Sequence, residues 1–129
     1  MYDCNIVVID DDNLILELIQ VILEEITSGE IHVFCDSKQA LDYVKSDNME
    51  KISLVICDWL MPEFSGLDVL AALRKSNPHC PFLMLTGSAT KQLVVDSMRL
   101  GATDFIIKPF HKNELLSKVE RVIRNADFG

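Results

Sequence analysis

The sequence predicts an α/β fold: a single doubly wound, five-stranded parallel sheet with five helices. Three observations carry that prediction. Five short apolar runs rich in β-branched residues alternate with five stretches of helical periodicity. The central runs are nearly all apolar, with Ser53 the exception in the third, and are not alternately polar, the habit of strands covered on both faces. No internal repeat, linker or low-complexity segment interrupts the alternation, and 129 residues suffice for one domain with a sizeable core.

The first strand is Asn5 to Ile9, followed at once by Asp10-Asp11-Asp12. Asn13 is the expected N-cap of a first helix running from Leu14 to about Ile26. At about 100° per residue, Ile15, Leu18, Ile19 and Ile22 make one core-facing stripe. Leu14 and Val21 fall on one flank of it and Leu16 on the other, an arc wider than a sheet-packed helix needs. Thr27-Ser28-Gly29 ends this helix, and Ile31 to Phe34 gives a second, short strand. Asp36 or Ser37 caps a helix to about Lys45 with Ala40, Leu41 and Val44 inward, and a polar loop from Ser46 to Lys51 follows.

The third strand, Ile52 to Cys57, runs into a single carboxylate, Asp58, and the chain then turns through Trp59-Leu60-Met61-Pro62 and Phe64-Ser65-Gly66. Leu67 to Lys75 is helical, with Leu67, Val69, Leu70 and Leu73 as its apolar positions. Asn77-Pro78-His79-Cys80-Pro81 is a loop by its prolines. Phe82 to Leu85 is the fourth strand and runs into Thr86-Gly87-Ser88. A helix from Ala89 or Thr90 to Leu100 is closed by Gly101, a good residue just past a helix end. Asp104 to Ile107 is the fifth strand and runs into Lys108-Pro109. The last helix spans His111 to Arg124, with Leu115, Leu116, Val119, Val122 and Ile123 facing in.

Composition narrows the function classes. No apolar run approaches the roughly 18 residues of a membrane span, and the N-terminus lacks the basic start and cleavage site of a signal peptide. A cytoplasmic address and no membrane partner are the resulting expectations. A formal charge of −8 argues against nucleic acid as a direct partner, and suits a divalent cation or a basic protein surface. Cys4, Cys35, Cys57 and Cys80 are scattered, so they are expected as reduced, mostly buried small hydrophobes and not as disulfides or a zinc site.

The strand ends carry the chemistry. Strand one ends in Asp10-Asp11, strand three in Asp58, strand four in Thr86 and strand five in Lys108. In a parallel sheet these C-terminal ends share one edge, which is where open α/β sheets bind ligands. Three carboxylates in one cleft repel one another and have raised pKa values unless a cation is present. Hard oxygen ligands with room for water suit Mg²⁺. A lysine opposite the acids adds a second positive charge, a threonine hydroxyl adds a donor, and Gly87 leaves the cleft open. Metal, lysine and hydroxyl around one carboxylate are what phosphoryl transfer to that carboxylate needs.

The segments Ile-Val-Val-Ile-Asp-Asp-Asp, Val-Ile-Cys-Asp-Trp-Leu-Met-Pro, Leu-Thr-Gly and Phe-Ile-Ile-Lys-Pro-Phe occur in that order at the strand ends. With them the chain resembles, over essentially its whole length, a response-regulator receiver domain of two-component signal transduction, of the chemotaxis-regulator kind. The resemblance implies a (βα)5 flavodoxin-like fold with strand order 2-1-3-4-5, and residues 1–129 as one receiver domain without an output domain in this chain. It implies Asp58 as phosphoacceptor, with Asp10, Asp11, Asp58 and the backbone carbonyl of Leu60 holding Mg²⁺ (or Mn²⁺). Lys108 matches the lysine that contacts the phosphoryl group, and its bond to Pro109 is expected to be cis. Thr86 and Phe105 match the switch pair, the hydroxyl swinging to the phosphoryl group and the aromatic turning inward. Asp12 matches no ligand and is expected to be a surface charge.

In that family a histidine kinase or histidine phosphotransfer protein donates the phosphoryl group, and the receiver supplies the catalytic groups. It is no enzyme beyond its own phosphorylation and dephosphorylation. The acyl phosphate biases a two-state equilibrium read by an output domain or target protein, with a homodimer on phosphorylation among the implied partners. The face of the fourth helix, fifth strand and fifth helix would include Lys91, Val94, Phe105 and Lys118. Leu14, Leu16 and Val21 on the first helix are a candidate docking patch for the phosphoryl donor. Leu60 and Ser88 hold the two positions that tune self-hydrolysis, and neither offers a carboxylate or amide to orient water.

Two other readings compete. Phosphatases of the haloacid dehalogenase type use an Asp nucleophile, a lysine, a Ser/Thr and Mg²⁺ on such a sheet. They also need a second Asp two residues on, where this chain has Leu60, and it has no cap insertion. A phosphate-independent, receiver-like interaction module is the alternative within the resemblance; such modules usually lose an acid, the acceptor or the lysine, and none is lost here. No Gly-x-x-x-x-Gly-Lys-[Ser/Thr] loop for nucleotide is present.

Overall fold

In the computed structural model, which describes residues 1–128, five strands and five helices alternate as expected. They are β1 (Asn5–Ile9), α1 (Asn13–Leu23), β2 (Ile31–Phe34), α2 (Ser37–Val44), β3 (Ile52–Asp58), α3 (Gly66–Ser76), β4 (Phe82–Thr86), α4 (Lys91–Arg99), β5 (Asp104–Ile107) and α5 (Lys112–Phe128). The strands form one parallel sheet in the order β2-β1-β3-β4-β5, the order implied by the resemblance. The segment before β3, expected as a loop, closes into a 3-10 turn over Asp47–Lys51, capped by Ser46 and anchored by buried Met49.

Alternate strand residues serve opposite faces, and the core divides accordingly. Ile6, Val8, Leu54, Ile56, Leu83 and Leu85 pack with α1 and α5. Val7, Ile9, Val55, Cys57, Phe82 and Met84 pack with α2 and α3. The three central strands are thus covered on both sides, which is why their sequences carry no polar alternation. Cys4, Cys57 and Cys80 are buried free thiols, as expected, but Cys35 at the end of β2 is exposed.

Helix ends follow their caps. Asp12, and not Asn13, caps α1, its side chain accepting from the Leu14 amide at 2.9 Å; it is exposed, as expected of a surface charge, and has this structural role besides. Asp36 caps α2, Ser65 and Asp68 form a capping box on α3, and Thr90 caps α4. Gly101 follows α4 at φ 100°, a left-handed conformation that favours glycine. Helix α5 runs past the expected end at Arg124 to Phe128, and no glycine or proline lies between those two residues.

The rotation of α1 differs from expectation. Its core face is Leu16, Ile19, Ile22 and Leu23, while Leu14, Leu18 and Val21 are exposed. Leu16 is 4% exposed and cannot belong to a docking patch, and Leu18, expected in the core, lies outside. An arc this wide can be satisfied by more than one rotation. Centring it on Ile19 buries Leu16 and Leu23 together with the sheet residues beneath.

Candidate functional site

The sheet register sets the strand ends side by side: Ile9 opposite Cys57, Asp58 opposite Leu85, and Thr86 opposite Ile107. The residues that leave those ends therefore converge. Asp10 is fully buried; its Oδ1 accepts from the Asp12 amide at 2.9 Å and its Oδ2 from Lys108 Nζ at 2.7 Å. The same ammonium stands 3.2 Å from Asp58 Oδ1. Asp11 is exposed at the rim, and one carboxylate oxygen from each of Asp10, Asp11 and Asp58 falls within 4.8 Å of the others.

The electrostatics follow from this crowding. Burial, and next the Asp10 charge, push the Asp58 carboxyl up from 3.8 to about 6, against the pull of Lys108. Burial pulls Lys108 down, but the hydrogen bond and charge of Asp10, with Asp58 behind them, outweigh it and leave the ammonium above its ordinary value. With all three acids ionised, three negative charges face one positive one, a deficit equal to the charge of one divalent cation. Octahedral ligands at Mg²⁺ distances lie about 3–4 Å apart, so carboxylate oxygens within 4.8 Å of one another need only small adjustments to share such an ion. The residues fit the group.

The loop after Asp58 is clamped from several directions. The Trp59 amide donates to Leu85 O at 2.9 Å, and the Gly66 amide to Trp59 O at 2.8 Å. A Cβ on Gly66 would lie 2.5 Å from Asp58 O and 2.8 Å from Met84 Sδ, so glycine is required for this close approach. The buried Ser37 hydroxyl donates to Pro62 O at 2.6 Å and accepts from the Phe64 amide at 3.2 Å. Sequence reasoning treated Ser37 only as a possible cap and missed this clasp. Once Asp36 takes the cap, Ser37 is free for another partner, but nothing in the sequence names Pro62. Glu63, at φ 72°, completes the turn, and Leu60 sits within it with an exposed side chain.

Thr86 is buried, and its hydroxyl is turned back on its own loop, donating to Ser88 O and accepting from the Ser88 amide, both at 3.0 Å. With Asp58, Trp59, Leu60, Gly87 and Ser88 it lines a depression of about 100 Å³ beside the acid cluster. A Cβ on Gly87 would meet no protein atom within 4 Å, so the cleft is open there. The Lys108–Pro109 bond is cis, as expected.

A family model described as the response regulator receiver domain matches residues 6–120. The chain belongs to that family. Phosphorylation is the mechanism by which such receivers work in two-component signalling. This receiver is 32% identical over 124 residues to the transcriptional regulatory protein CpxR of Escherichia coli K12, covering 96% of this chain and 51% of that one. It is 31% identical over 121 residues to the response regulator protein TodT of Pseudomonas putida, covering 94% and 52%. The chain thus spans about half the length of the curated relatives it matches. Among solved structures, a CheY-like receiver domain protein from Methanospirillum hungatei JF-1 superposes with TM-score 0.88 at 25% identity, covering 98% of each chain. A receiver domain protein from Clostridium thermocellum gives 0.86 at 30% identity, covering 97% and 98%.

The remaining candidates are not among the carboxylates of the acid cluster. Phe105 is half-buried on β5, with Lys118 Nζ 5.1 Å from its ring centroid. Lys91 is exposed on α4 and Val94 half-buried. On α1, Leu14 and Val21 are exposed, as a docking patch requires; Leu16 drops out and Leu18 takes its place beside them. Among the described residues no helix is long and apolar enough to cross a membrane.

Proposed function

We propose that this receiver accepts a phosphoryl group on Asp58 from a phosphohistidine donor, a histidine kinase or phosphotransfer protein. One observation carries the reading: Asp58, Asp10 and Asp11 share one strand-end cleft with Lys108 bridging two of them. An Asp58 oxygen attacks phosphorus, the bond from phosphorus to the donor imidazole nitrogen breaks, and an acyl phosphate forms on Asp58. With a carboxyl value of about 6, Asp58 is mostly ionised at neutral pH and available as nucleophile.

Each neighbour has a distinct task. Lys108 lies close enough to Asp58 to reach an oxygen of the incoming group while keeping its bond to Asp10. Asp10, Asp11 and Asp58, with the Leu60 carbonyl, would hold Mg²⁺ or Mn²⁺, which supplies charge compensation for the phosphoryl oxygens when bound. Thr86 exchanges its Ser88 acceptor for a phosphoryl oxygen, so this buried hydroxyl keeps a partner in both states. Phe105 turns inward as Thr86 moves, and the change is presented by α4, β5 and α5 to an output domain, a target protein or a second receiver. The exposed Leu14, Leu18 and Val21 form the apolar docking surface for the donor. The receiver turns over no substrate beyond its own phosphoryl group.

The test is mass spectrometry after incubation with acetyl phosphate and Mg²⁺, for the wild type and Asp58→Asn. A gain of about 80 Da, one phosphoryl group, is expected in the wild type alone and only with the metal. No adduct in folded wild-type protein would instead make the chain a phosphate-independent interaction module.

A further inference from the structure

We propose that Lys118 is a positioning residue for Phe105, holding the ring in its half-buried position until the acid cleft is phosphorylated. The inference rests on the reading of Phe105 as the switching aromatic. It starts from β5, the edge strand of the sheet, which has no neighbour beyond it. The main-chain groups of Phe105 are taken by two side chains: its amide donates to Asp104 Oδ1 at 2.8 Å, and its carbonyl accepts from Lys118 Nζ. Lys118 Nζ also stands 3.5 Å from Asp104 Oδ1, so the two side chains close a loop around one peptide unit. The ammonium is anchored by groups that belong to the strand and not to the ring.

That anchoring gives the contact its bias. Lys118 Nζ lies 5.1 Å from the Phe105 ring centroid, within cation–π range. A turn of the ring about χ1 leaves the bonds to Asp104 and to the Phe105 carbonyl intact and removes the contact with Lys118, together with the ring's packing against the core face under α2 and α3. Only an interaction that differs between two states shifts their ratio; the contact with Lys118 differs and favours the half-buried position. Because the ammonium is fixed independently, no long side chain has to be ordered each time the ring returns.

The experiment measures Phe105 χ1 in the unphosphorylated chain from three-bond couplings on ¹³C-labelled phenylalanine, with relaxation dispersion for a minor rotamer turned away from Lys118. It compares the wild type, Lys118→Met and Lys118→Arg, both variants keeping a long stem on α5. Lys118→Met is expected to raise the ratio of the turned rotamer to the half-buried one by about 2- to 5-fold, the range of an exposed cation–π contact, and Lys118→Arg to leave it at the wild-type value. A ratio unchanged in Lys118→Met, including a turned rotamer seen in neither protein, would overturn the proposal, as would an equal shift in Lys118→Arg. Labelling of the wild type by acetyl phosphate is scored separately. Its failure would remove the phosphoryl reading while the rotamer ratios still decide the role of Lys118.

Discussion

Replacing Asp58 by asparagine should make the metal-free receiver more stable, although it removes the proposed phosphoacceptor. The side chain is buried beside Asp10, and its carboxyl titrates at about 6 in place of 3.8. That is a shift of roughly two pH units, or about 3 kcal/mol against the ionised form. Between pH 4 and 6 the folded state holds a proton that the unfolded chain has lost, so stability falls as pH rises through this window. The full cost is present above about pH 7 and absent below about pH 4. Asparagine keeps the shape without the charge, and Lys108 keeps its bond to Asp10. At pH 8 in chelator, Asp58→Asn should therefore gain about 3 kcal/mol, or about 10 °C in Tm for a domain of this size. At pH 4 the two proteins should melt together. Saturating Mg²⁺ should raise the wild type by about 2.7 kcal/mol at a hundredfold excess over Kd, and the variant by less. Calorimetry across pH decides it. A variant no more stable than wild type at pH 8, or a gain that persists at pH 4, would refute the argument that crowded carboxylates set the energetics of this cleft.

Three further outcomes follow from the same geometry. Leu14→Ser with Val21→Ser should change stability by no more than about 0.5 kcal/mol and leave acetyl phosphate labelling intact. It should slow transfer from a phosphohistidine protein, whereas Leu16→Ala should cost about 2–5 kcal/mol in urea melts; unchanged transfer would remove the docking patch. Lys108→Met should push the Asp58 carboxyl further above 6, because the ammonium is what pulls it down, and carboxyl NMR titration in chelator reads this directly. The acyl phosphate should persist for minutes or longer without a phosphatase, since Leu60 and Ser88 place no carboxylate or amide near the phosphoryl group. Radiolabel loss within seconds would contradict it.

The strands and the convergence of Asp10, Asp11, Asp58 and Lys108 were legible because both follow from one property of parallel sheets. Strands buried on two faces must be apolar without alternation, and all such strands in one sheet end on the same edge. Residues 98 positions apart, such as Asp10 and Lys108, are therefore brought to 2.7 Å by topology alone. What was not legible depends on who partners whom within a loop. Asp12 against Asn13 as a cap is decided by one residue of backbone phase. Ser37 reaches Pro62 across the cleft because α2 and the loop after β3 happen to meet, and a serine looks the same in sequence whether it caps or clasps. The 3-10 turn at Asp47–Lys51 is held by Met49, a single apolar residue in a polar stretch.

The misjudged rotation of α1 shows where sequence periodicity stops and function begins. Its apolar positions cover too wide an arc to choose a centre, and the core selected Ile19, turning the helix by about 50° at 100° per residue from the expected stripe. On the helical wheel that rotation sets Leu14, Leu18 and Val21 together within about 60°, all of them exposed. A helix whose only task was to cover the sheet would gain nothing from three apolar residues on its solvent face. The excess that made the helix ambiguous to periodicity is thus the same feature on which the proposed docking of a phosphoryl donor rests. It sits on α1, whose cap, Asp12, is the third residue of the acidic run that starts at Asp10. A protein seated on that stripe would stand at the mouth of the cleft from which Asp58 must be reached.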